Sequence, residues 1–274
     1  MKLSTRNKSP IAPTAGPPAA PEWGYKGEGG PENWATLFPN FCAGSSQSPI
    51  ALNGLEATAT SSSDAWVLEK YDTVPDDMKI ENNGHSAKVA WTVTNTTDLP
   101  SVSGGELGGK YTFAQFHFHW GSISTQGSEH TINGIAYAAE LHLVHFKTEY
   151  GSLGNAIAYE DGLAALHYAP WRNTKSKCGY IVNVMKNTWA NEASARPSCQ
   201  RTPTPFLQIP RSLTTPTCNE IVTWTVFQDP ITISESQLEQ FRGLLGDDGE
   251  HHIEDNYRPV LPLNGRTVEK ITVS

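Results

Sequence analysis

The chain has 274 residues, of which 38% are hydrophobic and eight are Trp, enough for one large domain or two small ones. Its formal net charge of −8 and the lack of any basic run argue against nucleic acid as a partner. No apolar stretch is long enough to span a bilayer, so we expect no membrane span.

The start of the chain differs in composition from the rest. The segment "IAPTAGPPAAPE" is rich in Pro and Ala, which predicts disorder over residues 1–21. The opening "MKLSTRNKSP" lacks the apolar core of a signal peptide, and the polar ending "RTVEKITVS" has no lipid-anchor tail. One folded domain is expected over residues 22–274.

From Trp23 onward, short β-prone segments alternate with turn residues. In chain order, "PENWATLF" predicts a short helix with Pro31 at its start, and "KVAWTVTN", "YTFAQFHFHW" and "AAELHLVHF" predict strands. "YGSLGNAIAYEDG" is typical of a loop and turn, "DGLAAL" of the start of a strand, and "EIVTWTVFQ" of a further strand. "SESQLEQFRGLLG" predicts a helix from the N-cap Ser234 to about Gly246. The pattern indicates a β-dominated domain.

The stretch "AQFHFHWGS" places two histidines one residue apart in a predicted strand. Residues i and i+2 of a strand point to the same face, so Gln115, His117 and His119 share one face, and the other face is aromatic. Such a polar row is costly to bury without partners. Both imidazoles can, however, be offered to one metal ion.

A catalytic zinc site needs a third protein ligand and leaves a fourth position open. The segment "ELHLVHF" offers His142 and His145, whose odd spacing puts them on opposite faces. Glu140 shares a face with His142, and a carboxylate beside a ligand histidine fixes its tautomer; Gln115 could do the same for His117. His142 is therefore the better third ligand, and His145 is interpreted as a hydrogen-bonded core histidine. The alternative is a set of packed core histidines.

The four cysteines, Cys42, Cys178, Cys199 and Cys218, permit two disulfides in any of three pairings. None has the C-x-x-C spacing, which weakens the case for a thiolate metal site. The residues alone leave the pairing open.

Seven longer motifs resemble those of the α-class carbonic anhydrases in order and approximate spacing. They are "FCAGSSQSPI", "NNGHSAKV", "QFHFHWGS", "GSEHTINGIAYAAELHLVHF", "GSLGNAIAYEDGLA", "SLTTPTCNEIVTW" and "DNYRPVLPLNGR". The resemblance implies a mainly β (α+β) fold, with a single domain around a large, mostly antiparallel twisted β-sheet and short peripheral helices. It implies a monomeric zinc lyase that reversibly hydrates carbon dioxide to bicarbonate and a proton. Zinc-bound hydroxide, a histidine proton shuttle and inhibition by sulfonamides belong to the same expectation.

The resemblance assigns roles to individual residues. It makes His117, His119 and His142 the zinc ligands, in agreement with the strand parity. Thr214 would accept the proton of the hydroxide in a hydrogen bond and donate its own to Glu129, which aims the hydroxide at the substrate.

An apolar pocket for carbon dioxide and a path for the proton are also implied. His85 in "NNGHS" matches the shuttle histidine, and Tyr25 and Asn83 match residues beside that path. Ala165 stands where a larger residue is usual, so the pocket wall would be looser. The implied pocket residues are Val144, Ala165, Leu213, Thr214, Thr215, Val222 and Trp224.

The resemblance covers Trp23 to about Leu166 and then Ser212 to the end, and it fails over residues 166–211. The usual strand, helix and "YW-x-Y-x-G" approach are missing there, Arg211 replaces a glycine, and Ile209 replaces a tyrosine. We assign no element to this stretch. We expect a weakened central sheet, a changed pocket wall and less support behind the threonine pair.

Cys42 and Cys218 match the disulfide of secreted and membrane-bound family members. Because a disulfide implies an oxidising compartment, a secreted or extracellular location is predicted. A cytoplasmic location is the alternative, since no signal peptide is visible.

Two other functions stay open. One is a zinc-binding but catalytically impaired protein with a binding or matrix role, and the other is a zinc hydrolase acting on esters. The complete set of three histidines with Glu129 and Thr214 favours catalysis of hydration.

Overall fold

The computed structural model of the chain describes residues 20–71, 73, 75–172, 205–228 and 230–273. The disorder predicted over residues 1–21 falls almost entirely outside the described residues, as do Cys178 and Cys199.

Strands dominate the part of the chain that the structure describes. They are β1 (Ala51–Leu52), β2 (Thr58–Ser62), β3 (Val67–Glu69), β4 (Asp77–Asn82), β5 (Ala87–Thr92), β6 (Ser101–Ser103), β7 (Tyr111–Trp120), β8 (Thr131–Ile132), β9 (Ala139–Lys147), β10 (Leu163–Tyr168), β11 (Pro170–Arg172), β12 (Phe206–Arg211), β13 (Val222–Phe227), β14 (Ile231–Ile233) and β15 (Glu269–Val273).

Eleven of the described strands form one large sheet. Nine follow the order β2-β15-β12-β13-β10-β9-β7-β5-β4, and β3 joins through β6, which pairs with β7. The pairs β10 with β13 and β15 with β2 are parallel, whereas the other pairs of this sheet are antiparallel. The sheet is therefore mixed but mostly antiparallel, and the expected mainly β single domain is confirmed.

Short helices lie at the periphery of the sheet. The α-helices among the described residues are α1 (Trp34–Leu37), α2 (Leu153–Ala156) and α3 (Glu235–Arg242), and 3-10 turns span Gly27–Gly29, Thr96–Asp98 and Thr148–Tyr150. None of the described helices is long and apolar enough to cross a membrane.

The predicted helix at "SESQLEQFRGLLG" is right at its start and too long at its end. Ser234 caps α3 through a capping box with Gln237, which satisfies free N–H groups of the first turn. The helix ends at Arg242 rather than about Gly246, because Gly243 serves as the C-cap.

The other two helices also differ from expectation. α1 begins at Trp34 rather than at Pro31, because the residues before it form turns. α2 is a single helical turn where a loop was predicted. Its N-cap Ser152 accepts a hydrogen bond from the Asn155 amide. A helix of one turn is too short to show a hydrophobic period in the sequence.

The aromatic face of β7 builds the larger core. Phe116, Phe118 and Trp120 are buried, and the rings of Phe118 and Trp120 lie 4.8 and 5.1 Å from that of Phe241 in α3. The period-two alternation of "QFHFHW" therefore holds, with the aromatic rings under α3 and the histidines on the opposite face.

A strand occupies the end of the stretch to which the sequence assigned no element. β12 pairs along its length with β13 and also with β15, and its Phe206, Leu207 and Ile209 are buried. A strand is therefore present at this point, whereas the expected weakening of the central sheet stays a prediction. Pro210 obscured the strand because proline cannot donate to a sheet ladder, and its side chain is exposed here.

The disulfide that the resemblance implied is confirmed. Cys42 and Cys218 are bonded across a sequence separation of 176 residues, and both are buried against Trp34. The bond joins the N-terminal part of the domain to the loop that follows β12.

His145 lies on the aromatic-core face of β9, opposite Phe113 in the neighbouring strand. It is fully buried, its Nε2 meets the Tyr71 hydroxyl, and burial lowers its pKa to about 4. The structure thus places it where the strand parity put it, away from the three histidines of the predicted site.

His145 makes the free energy of unfolding fall as the pH is lowered. Below 6.5, the unfolded chain binds a proton at His145, whereas the folded protein resists until about pH 4, so the free energy of unfolding falls across that window. The loss from this group is about 3 kcal/mol. His145→Gln should flatten the pH dependence measured by urea unfolding, and His252→Gln at an exposed position should not. Parallel curves for His145→Gln and the parent would contradict the assignment.

Candidate active site and metal centre

Three histidine rings meet on the polar face of β7 and β9. His117 and His142 are directly opposite each other in the strand register, and His119 is opposite Glu140. The ring centroids are 5.2 Å apart for His117 and His119, 5.1 Å for His117 and His142, and 4.7 Å for His119 and His142. One ligand atom from each ring lies within 4.8 Å of the others.

The second nitrogen of each ring has an acceptor. His117 Nδ1 donates to Gln115 Oε1 at 3.0 Å, and His142 Nε2 donates to Glu140 Oε1 at 2.5 Å. His119 Nδ1 donates to the backbone carbonyl of Asn256 at 2.7 Å. These contacts fix the tautomers, so the remaining nitrogens are unprotonated.

The unprotonated nitrogens of His117, His119 and His142 converge. His142 Nδ1 and His117 Nε2 face each other at 3.3 Å with no proton between them, and His119 Nε2 is buried without a hydrogen-bond partner among the described residues. Lone pairs that face one another repel unless a cation lies between them. Three imidazole nitrogens are a preferred donor set for zinc, so the residues present fit that ion.

Burial keeps these imidazoles neutral. Desolvation lowers the pKa of His119 to about 4 and that of His142 to about 3, and it lowers the pKa of His117 well below its ordinary value. The neighbouring imidazoles add to the depression of the His117 pKa. Neutral nitrogens are the ligand form, so no proton has to leave before a metal binds near neutral pH.

Glu140 lies behind the three histidines and accepts several hydrogen bonds. Its carboxylate accepts hydrogen bonds from the backbone N–H of Glu129 and of His130, at 2.8 and 2.7 Å, and from His130 Nδ1 at 2.8 Å. Burial raises its pKa, but the electrostatic effects of His167 and His130, outside the three-histidine set, and the hydrogen bonds from His130 and His142 outweigh this and lower the pKa well below its usual range. The group His130–Glu140–His142 also has the composition of a metal site, but its ring nitrogens already donate to the carboxylate.

His167 lies against the Glu140 carboxylate, although the sequence analysis assigned it no role. It is fully buried on β10, opposite His142 in the register, and its Nε2 lies 3.1 Å from Glu140 Oε2. The signal that could have found it is parity, because His167 lies two residues after Ala165 and shares its face.

Glu129 lies at the edge of the histidine cluster. Its Oε1 accepts the backbone N–H of Arg258 at 2.9 Å, and its Oε2 lies 3.3 Å from His119 Nε2. Burial and the charge of Glu140 raise the pKa of Glu129 well above its ordinary value, and the Arg258 amide and the Thr214 side chain oppose this only in part. A divalent cation at the three histidines would act against this shift and favour the charged carboxylate.

The apolar wall beside the histidines is a single row across the sheet. Gln115, Val144, Ala165, Trp224 and Ile209 are paired one after another through β7, β9, β10, β13 and β12. Directly paired residues share a face, so this row flanks the row that contains the histidines. The Trp224 ring lies 4.5 Å from that of His142.

The remaining expected pocket residues lie in β13 and in the loop after β12. Val222 is buried two positions before Trp224, and Leu213 packs against the same core cluster. Thr214 is buried and Thr215 is half-buried in the loop after β12. This loop is held in place by Trp224 Nε1, which donates to the Ser212 carbonyl at 2.9 Å.

The expected shuttle, His85, lies in the turn between β4 and β5. It is half-buried and stacks on Trp23 with ring centroids 3.9 Å apart. Burial lowers its pKa, and the charge of Asp247 partly opposes that effect. The exposed Asn83 caps the turn, since its Oδ1 accepts the backbone N–H of His85 at 3.1 Å.

Asn256 connects this turn to the cluster and was missed by the sequence reasoning. Its carbonyl accepts from His119, and its Nδ2 donates to the His85 carbonyl at 2.9 Å. Its Oδ1 accepts the Trp120 N–H at 2.7 Å. A backbone carbonyl that acts as the partner of a histidine leaves no trace in residue identity, so the role could only be read from the fold.

Tyr25 lies in the aromatic cluster beside the disulfide, with its ring 5.7 Å from Trp34. Desolvation and the charge of Glu129 raise its pKa well above the usual value, against the charge of Arg258. The hydroxyl therefore stays protonated, in electrostatic reach of Glu129.

Comparison with known proteins identifies the family. The model of the eukaryotic-type carbonic anhydrase family matches residues 29–272. The chain belongs to this family. Carbonic anhydrase 7 of Mus musculus is 40% identical over 259 residues, which cover 90% of this chain and 96% of the relative. Carbonic anhydrase 7 of Homo sapiens is 38% identical over the same shares, and carbonic anhydrase 3 of Bos taurus is 35% identical over 91% of this chain and 98% of the relative.

The family match confirms the resemblance stated from the motifs. It also runs through residues 166–211, where the motifs fail. Among the described residues, β12 pairs with β13 and leads directly into the loop of Thr214.

Proposed function

We propose that this carbonic anhydrase family member catalyses the reversible hydration of carbon dioxide to bicarbonate, with Zn²⁺ as its cofactor. The observation that carries the proposal is the convergence of three neutral, oriented imidazoles. His117 Nε2 and His142 Nδ1 are 3.3 Å apart, and each ring donates its other N–H to an acceptor.

The three neutral imidazoles would hold the zinc, which when bound would lower the pKa of water and so supply hydroxide near neutral pH. The residues of the chain orient the ligands. Gln115, Glu140 and the Asn256 carbonyl hold the rings in the ligand tautomer. Losing such partners typically costs ten- to hundredfold in metal affinity or activity.

Thr214 and Glu129 are proposed to orient the attacking group. The Arg258 amide donates to one oxygen of Glu129, and the Thr214 side chain is close enough to the same carboxylate to lower its pKa. With a divalent cation at the histidines to hold Glu129 ionised, its carboxylate would only accept hydrogen bonds, so the threonine hydroxyl would donate to it and keep its own oxygen free as an acceptor. Thr214 would thereby orient the attacking oxygen toward the substrate.

Thr214→Val should reduce kcat/KM for hydration by about a hundredfold, because it keeps the shape but removes the hydroxyl that orients the reaction. Stopped-flow hydration rates measure this. Thr214→Ser is the matched control and should keep most of the rate. A valine variant within about twofold of the parent would contradict the role assigned to Thr214.

The proton produced in each turnover is proposed to leave through His85. The His85 ring stacks on Trp23, and Asn256 donates a hydrogen bond to the His85 carbonyl. Asn256 thereby connects the turn of His85 to β7, the strand of His117 and His119. Burial lowers the pKa of this imidazole, which favours the neutral form that can accept a proton. Tyr25 and Asn83 are proposed to line the polar side of this path.

His85→Ala should slow turnover in dilute buffer by about ten- to hundredfold and leave the rate in concentrated imidazole buffer nearly unchanged. The reason is that free imidazole replaces the missing proton acceptor. The exposed His252→Ala provides a control without an expected effect. Equal rates for His85→Ala and the parent in dilute buffer would remove the shuttle assignment.

Stopped-flow hydration by the zinc-loaded protein, with and without a chelator, tests the function itself. We expect rapid hydration that a chelator removes and an aromatic sulfonamide inhibits. A folded, zinc-loaded protein without such activity would instead favour the non-catalytic binding or matrix role. Turnover of esters without hydration would favour the hydrolase. Monomeric state and a secreted location, with a cytoplasmic alternative, remain parts of this proposal.

A further inference from the structure

The tripeptide Asn95-Thr96-Thr97 has the N-x-Thr pattern of an acceptor for N-linked glycans, and its middle residue is not proline. A second tripeptide with this pattern, Asn7-Lys8-Ser9, is followed by Pro10 and lies outside the described residues. Such a pattern is usable only on the surface of a protein that enters the secretory pathway. The position of Asn95 in the fold therefore decides whether a glycan can be accommodated there.

The structure places this tripeptide in an exposed turn between β5 and β6. Asn95, Thr96, Thr97 and the following Asp98 are all exposed. The amide nitrogen of Asn95, Nδ2, donates no hydrogen bond to any described residue, so the atom that would carry a sugar is free. A bulky polar group on this nitrogen would extend into solvent and would displace no packed side chain.

A hydrogen bond inside the tripeptide orients the acceptor side chain. Asn95 Oδ1 accepts the backbone N–H of Thr97 at 3.1 Å, which closes an Asx turn. Because an N–H donor requires the oxygen on that side of the amide, Nδ2 is left on the other side. The two partners are two residues apart, so the turn needs no distant segment and can form before the sheet does.

The disulfide is an independent indication that the chain reaches the compartment in which N-linked glycans are added. Cys42 and Cys218 are bonded, and disulfides form and persist in the lumen of the endoplasmic reticulum and outside the cell. An exposed acceptor and a disulfide in one chain favour the same route. The inference therefore rests on the proposed secreted location and not on the proposed catalysis.

We propose that Asn95 is an N-linked glycosylation site. The donor is an oligosaccharide attached to a lipid through pyrophosphate, and the acceptor atom is Asn95 Nδ2. A bond forms between Nδ2 and the anomeric carbon of the first sugar, while the bond from that carbon to the pyrophosphate oxygen breaks. The lipid pyrophosphate leaves with the electron pair, and Nδ2 gives up one of its two protons, so a secondary amide remains.

The glycan would lie at the end of β5 that is away from the histidine cluster. The turn of His85 precedes this strand, Lys88 near its start is opposite His117, and Asn95 follows its end. At about 3.3 Å per residue, the stretch from Lys88 to Thr92 alone spans about 13 Å. Asn95 is thus separate from the proposed catalytic residues, and its modification can be tested without a measurement of activity.

Mass spectrometry of the protein from its native source tests the site. A peptide-N-glycosidase releases the glycan and converts the amide to a carboxylate, so digestion in heavy-oxygen water should label Asn95 and increase the electrophoretic mobility of the chain. An unlabelled Asn95 would overturn the proposal. The cysteines of the same sample then show what has failed. A bonded pair at Cys42 and Cys218 retains the secreted location, whereas free thiols remove the location as well.

Variants expressed in the cells of the native source assign the mobility shift to this tripeptide. Asn95→Asp keeps an oxygen that can accept the Thr97 N–H but has no amide nitrogen, so it should lose the shift and keep the turn. Thr97→Ala should also lose the shift, and Thr97→Ser should retain it, because the pattern requires a hydroxyl at this position. Asn7→Gln is the control. A shift that is lost in Asn7→Gln and kept in Asn95→Asp would overturn the proposal.

Discussion

His117→Ala should abolish zinc retention and carbon dioxide hydration together. The variant leaves two imidazoles at a centre whose ion needs three protein ligands, and it unpairs Gln115. Because losing an outer partner of a ligand histidine costs ten- to hundredfold, losing the ligand itself should reduce hydration by more than about a hundredfold. Elemental analysis after dialysis and stopped-flow hydration measure the two effects on one sample.

A matched histidine shows whether the effect is specific. His145 is as buried as His119 and His142 and lies three residues from His142, but on the opposite face of β9. His145→Gln should retain stoichiometric zinc and most of the hydration rate at neutral pH. If His117→Ala retained one zinc per chain, the ligand set proposed here would be wrong, whatever its residual activity.

The alternation of the strands predicted which histidines meet at this centre. A period of two needs only residue spacing, and it correctly put His117, His119 and His142 on one face and His145 on the other. The sheet could be anticipated for the same reason, since β7 and β9 have strong alternation and lie where "YTFAQFHFHW" and "AAELHLVHF" predicted them.

The parts that escaped prediction depend on contacts between distant segments. Asn256 reaches His119 through a carbonyl, and Arg258 reaches Glu129 through an amide, so neither contact is encoded in a side-chain type. β12 could not be predicted because Pro210 interrupts a short apolar run. Its partner strands, β13 and β15, both come later in the chain.

Removing the disulfide should have the largest effect on stability. Cys42 and Cys218 close a loop of 176 residues, so the bond strongly restricts the unfolded chain. The double variant Cys42→Ala/Cys218→Ala should lose about 4 to 5 kcal/mol of unfolding free energy. That is a large fraction of the about 5 to 15 kcal/mol that stabilises a typical domain. Urea unfolding monitored by tryptophan fluorescence measures the difference.

A reductant distinguishes the bond from the packing around it. It should lower the stability of the parent to about that of the double variant and leave the double variant unchanged. Cys178→Ala/Cys199→Ala should keep the full response, because the pair at Cys42 and Cys218 is intact. A double variant as stable as the oxidised parent would contradict the prediction. Alkylation of free thiols in protein from its native source then tests location. A bonded pair supports the oxidising compartment of a secreted protein, whereas free thiols at both positions support the cytoplasmic alternative.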